Sequence, residues 1–415
     1  MGRQMADTPI LFKNFELLDV VDGVLKSGYQ LLVQDGHIAA LETGAIAANG
    51  AKEIDLGGHT LMPGLIDCHV HIHPLILPTT PQMLPSLITA HALSTLEGML
   101  MRGFTTVRDA GGADAGHRQA VEQGLTPGPR LFVAGRAISQ TGGHGDPRTS
   151  ANQFEPCECA AHLSGFGLGR IADGVAEVRK AVRDEIRQGA DQVKLMAGGG
   201  VTSQSDPIDQ LQYSDDEISA VVDEARRSHT YVMAHVYTAA GIRRCIELGV
   251  RTLEHANLID EGAAKLAAEA GAYMVPNLIC YDNLGKRGLE LGYTPEAMAK
   301  LGDVAGAGAR SLEIAANAGL KLAYGTDISR SPELQSDEFL LRAEVQKPAD
   351  IIRSATLVGA EVVRMPGKLG VLAEGAIADL LAVDGNPLED LRVLTNQGEK
   401  MPVIMKEGVV IKNTL

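Results

Sequence analysis

Between residues 61 and 325, short apolar runs alternate with longer amphipathic stretches. That texture predicts parallel strands, buried on both faces, joined by helices. The apolar runs predict eight strands, at 61–69, 104–108, 131–134, 192–196, 231–235, 252–255, 273–276 and 322–325. The helices between them carry local start and stop signals. Ser214-Asp-Asp-Glu217 has capping-box spacing, and Gly249 follows Cys245-Ile-Glu-Leu where a helix should end. Eight strands with intervening helices predict an α/β protein built on a closed (β/α)8, or TIM, barrel. Both chain ends read differently. Residues 10–42 alternate short strands with turns at Asp22-Gly23 and Asp35-Gly36, and the texture returns at Ala378-Asp-Leu-Leu-Ala-Val, Pro402-Val-Ile-Met and Gly408-Val-Val-Ile. We therefore expect a small β-sandwich domain formed by both ends, residues 1–60 with 366–415, attached to a barrel of residues 61–365. Residues 141–169, rich in Gly, Pro and His, are long for a strand-to-helix connection and predict a lid or rim loop.

Composition narrows the function. A chain of 415 residues that is 45% hydrophobic can bury one large core. The net charge of −15, with no Lys/Arg-rich stretch, argues against nucleic acid or an anionic membrane as partner and leaves a small molecule or peptide. The sequence has no apolar run of about 18 residues, as a membrane-crossing helix requires, and the first 15 residues lack the order of a signal peptide. The expected location is cytoplasmic. The five cysteines, Cys68, Cys157, Cys159, Cys245 and Cys280, are an odd, scattered set and are expected to be reduced.

Chemistry in such a barrel gathers at the C-terminal ends of the strands. Strand one ends in Asp67-Cys-His69-Val-His71, and the i, i+2 spacing puts both imidazoles on one face. Strand four carries Lys194 among apolar neighbours, where an unpaired ammonium is expensive to bury. Strand five ends in His235, strand six in Glu254-His255, and strand eight in Gly325-Thr326-Asp327. Each has an ordinary reading when taken singly: a lone strand-end histidine is commonly a hydrogen-bonded structural residue, Asp327 could cap a helix, and Lys194 could snorkel or pair with a carboxylate. Together, four histidines, a lysine and an aspartate at the ends of five strands of one barrel point to a metal site.

On His69-x-His71 after Pro63-Gly-Leu-Ile-Asp, on Lys194, His235, His255 and Asp327 in that order, and on Gly375-Ala-Ile-Ala-Asp379-Leu, the chain resembles the binuclear branch of the amidohydrolase superfamily over essentially its whole length. Within it, the likeness is to prolidase-like and carboxypeptidase-like hydrolases and to imidazolonepropionase-related ones. The resemblance implies two divalent metal ions, zinc being the expected one, and a CO2-derived carbamate on Lys194 that bridges them. It implies His69, His71 and Asp327 on one ion, His235 and His255 on the other, and a shared hydroxide. Asp327 would act as general acid and base. His144, in a glycine-rich loop after strand three, and Tyr237, two residues beyond His235, would hold the substrate's α-carboxylate and scissile region. The implied substrate is a small peptide or N-acyl amino acid, of Xaa-Pro type above all, and the implied assembly a homo-oligomer. A cyclic amide, imidazolone or lactone is the alternative. Deaminases of this superfamily commonly bind one ion and lack the bridging lysine, so Lys194 disfavours that chemistry. Cys157-x-Cys159-x-x-His162 has the look of half a zinc site but lacks a fourth ligand nearby. His73, Asp67, Arg108 and Asp109 sit at or near strand ends and are expected to support the ligands at most.

Overall fold

The computed structural model describes residues 8–74, 83–148, 168–203, 206–329 and 331–415. All eight expected strand positions are occupied. They are Leu65–Val70, Phe104–Asp109, a third strand in two pieces (Arg130–Phe132 and Ala137–Ser139), Val193–Met196, Val232–Thr238, Thr252–Leu258, Tyr273–Val275 and Lys321–Leu322. Neighbours pair in parallel around this order. The ladder is not continuous: it falls into a three-stranded and a seven-stranded sheet. A few hydrogen bonds cross each seam, among them Asp191 N to Val133 O at 2.7 Å between the third and fourth strands, and Cys68 N to Tyr324 O at 2.8 Å and Asp327 N to His69 O at 2.7 Å between the first and the eighth.

Helices follow the strands as the sequence pattern requires, and their apolar faces cover the sheet. Ile218, Val221 and Ala225 of helix Asp215–Arg227 join Leu195, Ala234 and Leu253 of the strands in one core. The Ser214 N–H donates to Glu217 at 2.7 Å, the contact its capping-box spacing foretold. None of the described helices is long and apolar enough to cross a membrane.

One expected strand, 61–69, is in fact two. Thr60–Pro63 pairs antiparallel with Leu380–Val383 in a six-stranded sheet made from both chain ends, and the first barrel strand begins only at Leu65. Gly64 makes the joint because its backbone lies against Thr105, whose side chain would collide with any Cβ there. A second, four-stranded sheet comes from the N-terminal strands. Phe12, Leu31 and Ile38 of that sheet share a core with Leu61, Leu380 and Met405 of the six-stranded one. Asp379 locks these sheets to the base of the barrel: its side chain accepts from Arg130 at 2.6 Å and from the Glu407 N–H at 2.7 Å.

Candidate metal centre

The first strand delivers His69 and His71, both buried, to the barrel mouth. Their Nδ1 atoms are occupied: His69 Nδ1 lies 2.6 Å from Glu254 Oε2, and His71 Nδ1 lies 2.8 Å from the Gly111 carbonyl. With Nδ1–H donated to those acceptors, both Nε2 lone pairs are free, and both aim at Asp327, whose Oδ1 is 3.5 Å from His69 Nε2 and 3.1 Å from His71 Nε2. The ligand atoms of His69, His255 and Asp327 all lie within 4.8 Å of one another, a spacing that can hold a metal ion. The His235 ring centroid is 4.6 Å from that of His255.

The electrostatics suit ligation. Burial, and after it the charge of Lys194, holds His69 well below the ordinary imidazole range. Burial and neighbouring His144 do the same to His235, and burial pushes His255 down to about 3. His69, His235 and His255 are therefore neutral, the ligating form, whereas at His71 burial is outweighed by the adjacent Asp327 carboxylate, which raises the imidazole. Burial alone would raise the Asp327 carboxyl, yet the His69 and His71 imidazoles outweigh it and keep the group ionised. Lys194 is buried, which lowers its amine to about 8, and it makes no hydrogen bond or ion pair with any described residue. The Glu254 and Asp327 charges only partly offset the cost of burying an ammonium that no described residue hydrogen-bonds, and a divalent ion with an oxygen ligand on that nitrogen would relieve it. The donor set thus fits a metal centre.

His144 and Tyr237 flank His235. The His144 ring stacks on it at 4.2 Å, and the Tyr237 ring stands edge-on at 4.8 Å. The structure adds partners whose roles the sequence did not reveal. Glu254 receives Arg108 at 2.9 Å and the Thr252 hydroxyl at 2.6 Å while holding His69. Tyr281 reaches His255 Nδ1 at 2.7 Å and donates to the Tyr237 hydroxyl at 3.1 Å. Asn277 lies 3.1 Å from His69 Nδ1 and 3.3 Å from His255 Nδ1. Four non-glycine residues here, His255, Ala256, Asn277 and Asp327, have φ between 52° and 76°. That strain is concentrated where the ligands are aimed.

Among the supporting candidates, Asp67 accepts from the Thr326 hydroxyl at 2.8 Å and Gln335 at 3.0 Å, and Asp109 accepts the Ile72 N–H after the first strand and the Gly111 and Ala113 N–H groups after its own. His73 is buried outside the cluster, its Nε2 3.3 Å from that of His117. Cys157, Cys159 and His162 lie outside the described residues, as does most of the expected rim loop.

A parallel barrel that gathers imidazoles and a carboxylate at the C-terminal ends of its strands is the architecture of metal-assisted hydrolases. Residues 60–410 match the model of the amidohydrolase family, and the chain belongs to that family. Its neighbours fix the fold as a TIM barrel with a second domain. The crystal structure of one amidohydrolase is 50% identical, with a TM-score of 0.95 over 98% of this chain and 100% of that one. A crystal structure of a prolidase complexed with N-methylphosphonate-L-proline is 47% identical, with a TM-score of 0.95 over the same shares. The ochratoxinase of Aspergillus niger is 34% identical over 369 residues, 85% of this chain and 75% of that protein.

Proposed function

We propose that this protein is a binuclear metal-dependent dipeptidase or carboxypeptidase that releases a C-terminal amino acid from Xaa-Pro or N-acyl amino acid substrates. One observation carries the reading: the imidazoles of His69 and His255 and an ionised Asp327 converge beside a buried Lys194 that no described residue hydrogen-bonds. His69, His71 and Asp327 would hold one ion, His235 and His255 the other, and a carbamate formed on Lys194 would join them, zinc suiting such nitrogen and oxygen donors. When bound, two such ions supply a water acidic enough to attack at neutral pH and polarise the scissile carbonyl. Asp327 takes the proton of the attacking water at its carboxylate and returns it to the departing amine nitrogen. Tyr237 and His144 orient the carboxylate end of the substrate, and Glu254 and Tyr281 keep His69 and His255 in the required tautomers. The likeness to a prolidase in complex with a proline phosphonate supports proline as a leaving group. The flanking sheets we read as a single β-sandwich drawn from both chain ends, the expected boundary at residue 60 moving to Pro63, with 366–415 from the other end.

The test is amino-acid release from dipeptides and N-acyl amino acids ending in Pro, Arg, Lys, Phe or Leu, by protein reconstituted with zinc and bicarbonate, with Asp327→Asn as control. Release that the variant abolishes supports the proposal and names the leaving group. Silence across the panel with two metals bound would overturn it in favour of a cyclic amide or lactone.

A further inference from the structure

Lys300 lies on helix Pro295–Ala305, beyond the seventh strand, far in sequence from every ligand. Its ammonium has three protons to donate, and three main-chain carbonyls receive them: Gly200 O at 2.6 Å, Ser203 O at 2.6 Å and Asp206 O at 3.0 Å. All three belong to one connection after the fourth strand. The other face of that connection builds the site. Gly199 O meets His235 Nε2 at 3.1 Å, and the Val201 N–H meets the Tyr237 hydroxyl. The Ser203 hydroxyl is 2.8 Å from His144 Nδ1, and the His144 ring lies where a Cβ on Gly200 would sit. Asp206, fully buried, ties the connection to itself by accepting the Gly200 N–H at 2.8 Å. Leu301 and Val304 of the helix pack in one apolar cluster with Val201, Tyr237 and Tyr281.

Helix and connection are joined by this apolar packing and by the charge of Lys300, whose ammonium also stands 3.9 Å from the buried Asp206 Oδ1. What the ammonium adds is direction: hydrogen bonds to carbonyls fix which way each peptide faces, and so where Gly199 O, the Val201 N–H and the Ser203 hydroxyl point. We propose that Lys300 is a positioning residue, which sets the places of His144 and Tyr237, and through them substrate affinity, by clamping the 199–203 segment and Asp206 to helix Pro295–Ala305. His235 and Tyr237 share strand Val232–Thr238, but His235 is paired in its ladder while the register breaks at Tyr237, so His235 depends on the clamp less. This inference rests on the proposed amino-acid release for its kinetic consequence and on the hydrogen bonds alone for its structural one.

The experiment compares metal-loaded wild type, Lys300→Met and Lys300→Arg by steady-state kinetics on the best substrate of the panel and by hydrogen exchange of the 198–203 amides, helix Asp215–Arg227 serving as internal reference. Losing three charge-assisted hydrogen bonds should raise KM by about tenfold or more, with kcat held within about threefold, and speed exchange of 198–203 by a similar factor. Lys300→Arg, whose guanidinium still donates to carbonyls, should recover much of both. Unchanged KM in Lys300→Met, or a fall in kcat without a rise in KM, overturns the proposal. If wild type turns over no member of the panel, the functional reading fails by itself and exchange alone decides: faster exchange confined to 198–203 supports the clamp, and unchanged exchange refutes it. If Lys300→Met does not fold, Lys300→Arg and Ser203→Ala carry the test, the latter raising KM by releasing His144 and the Ser203 hydroxyl's bond to Gly200 O while leaving the Lys300 ammonium in place.

Discussion

Glu254 Oε2 lies 2.6 Å from His69 Nδ1 while the other oxygen of the same carboxylate takes Arg108 at 2.9 Å, all three side chains fully buried. The carboxylate thus neutralises an arginine inside the barrel and also fixes the tautomer of a proposed ligand.

Glu254→Ala should be among the costliest substitutions in the barrel. It leaves Arg108 charged and unpaired, a loss of about 3–5 kcal/mol in unfolding free energy, and should weaken metal affinity by about 10–100-fold. Arg108→Met with Glu254→Met should regain much of the stability and none of the metal affinity. Denaturant titration and metal analysis separate the two effects, and a double variant that regained both would show that the carboxylate does not serve His69.

Asp327→Asn should retain the fold and lose about 10²–10⁴-fold in kcat. Circular dichroism and turnover on the same preparation check it, and an active variant would move the proton transfer elsewhere.

How far the sequence showed all this depends on which property was asked of it. The strands were legible because each is a short apolar run, and the ligands because strand ends are where a barrel places its chemistry. Two things were not legible. The joint at Gly64 was hidden because Leu61-Met62-Pro63 and Leu65-Ile66 are apolar alike, and only pairing with Leu381 and Leu380 assigns the first part to another sheet. The role of Glu254 was hidden because adjacent strand residues should face opposite ways. Here φ turns positive at His255 (76°) and Ala256 (52°), so that both Glu254 and His255 serve one site.

Tyr281→Phe should disconnect His255 from Tyr237. The hydroxyl that sits 2.7 Å from His255 Nδ1 and donates to Tyr237 is removed, so kcat/KM should fall by about tenfold and metal content should drop at limiting zinc. Kinetics together with metal titration test this; full activity would mean that the two tyrosines act independently.

Glu338 gives the pH prediction. Burial pushes its carboxyl up to about 8 from an ordinary 4.5, although it accepts the Ile279 N–H at 2.7 Å and faces the Arg342 charge. Between these two values the folded protein keeps the proton and the unfolded chain does not. Unfolding releases a proton there, and stability must fall as pH rises from about 4.5 to about 8. Glu338→Gln lacks that term, so its unfolding free energy relative to wild type should climb with pH at up to about 1.4 kcal/mol per unit. Parallel denaturation profiles for the two proteins across the window would sink the assignment.

The joint at Gly64 makes the two structural units mechanically inseparable. The Gly64 N–H donates to Asp379 O at 2.9 Å, and the strand that leaves the flanking sheet at Pro63 continues, after Gly64 alone, as the strand that carries His69. No slack remains for either body to melt while the other stands. Heating should give one endotherm, and a chain cut after residue 379 should yield no stand-alone barrel but a polypeptide that has lost its metal-binding capacity along with its last three strands.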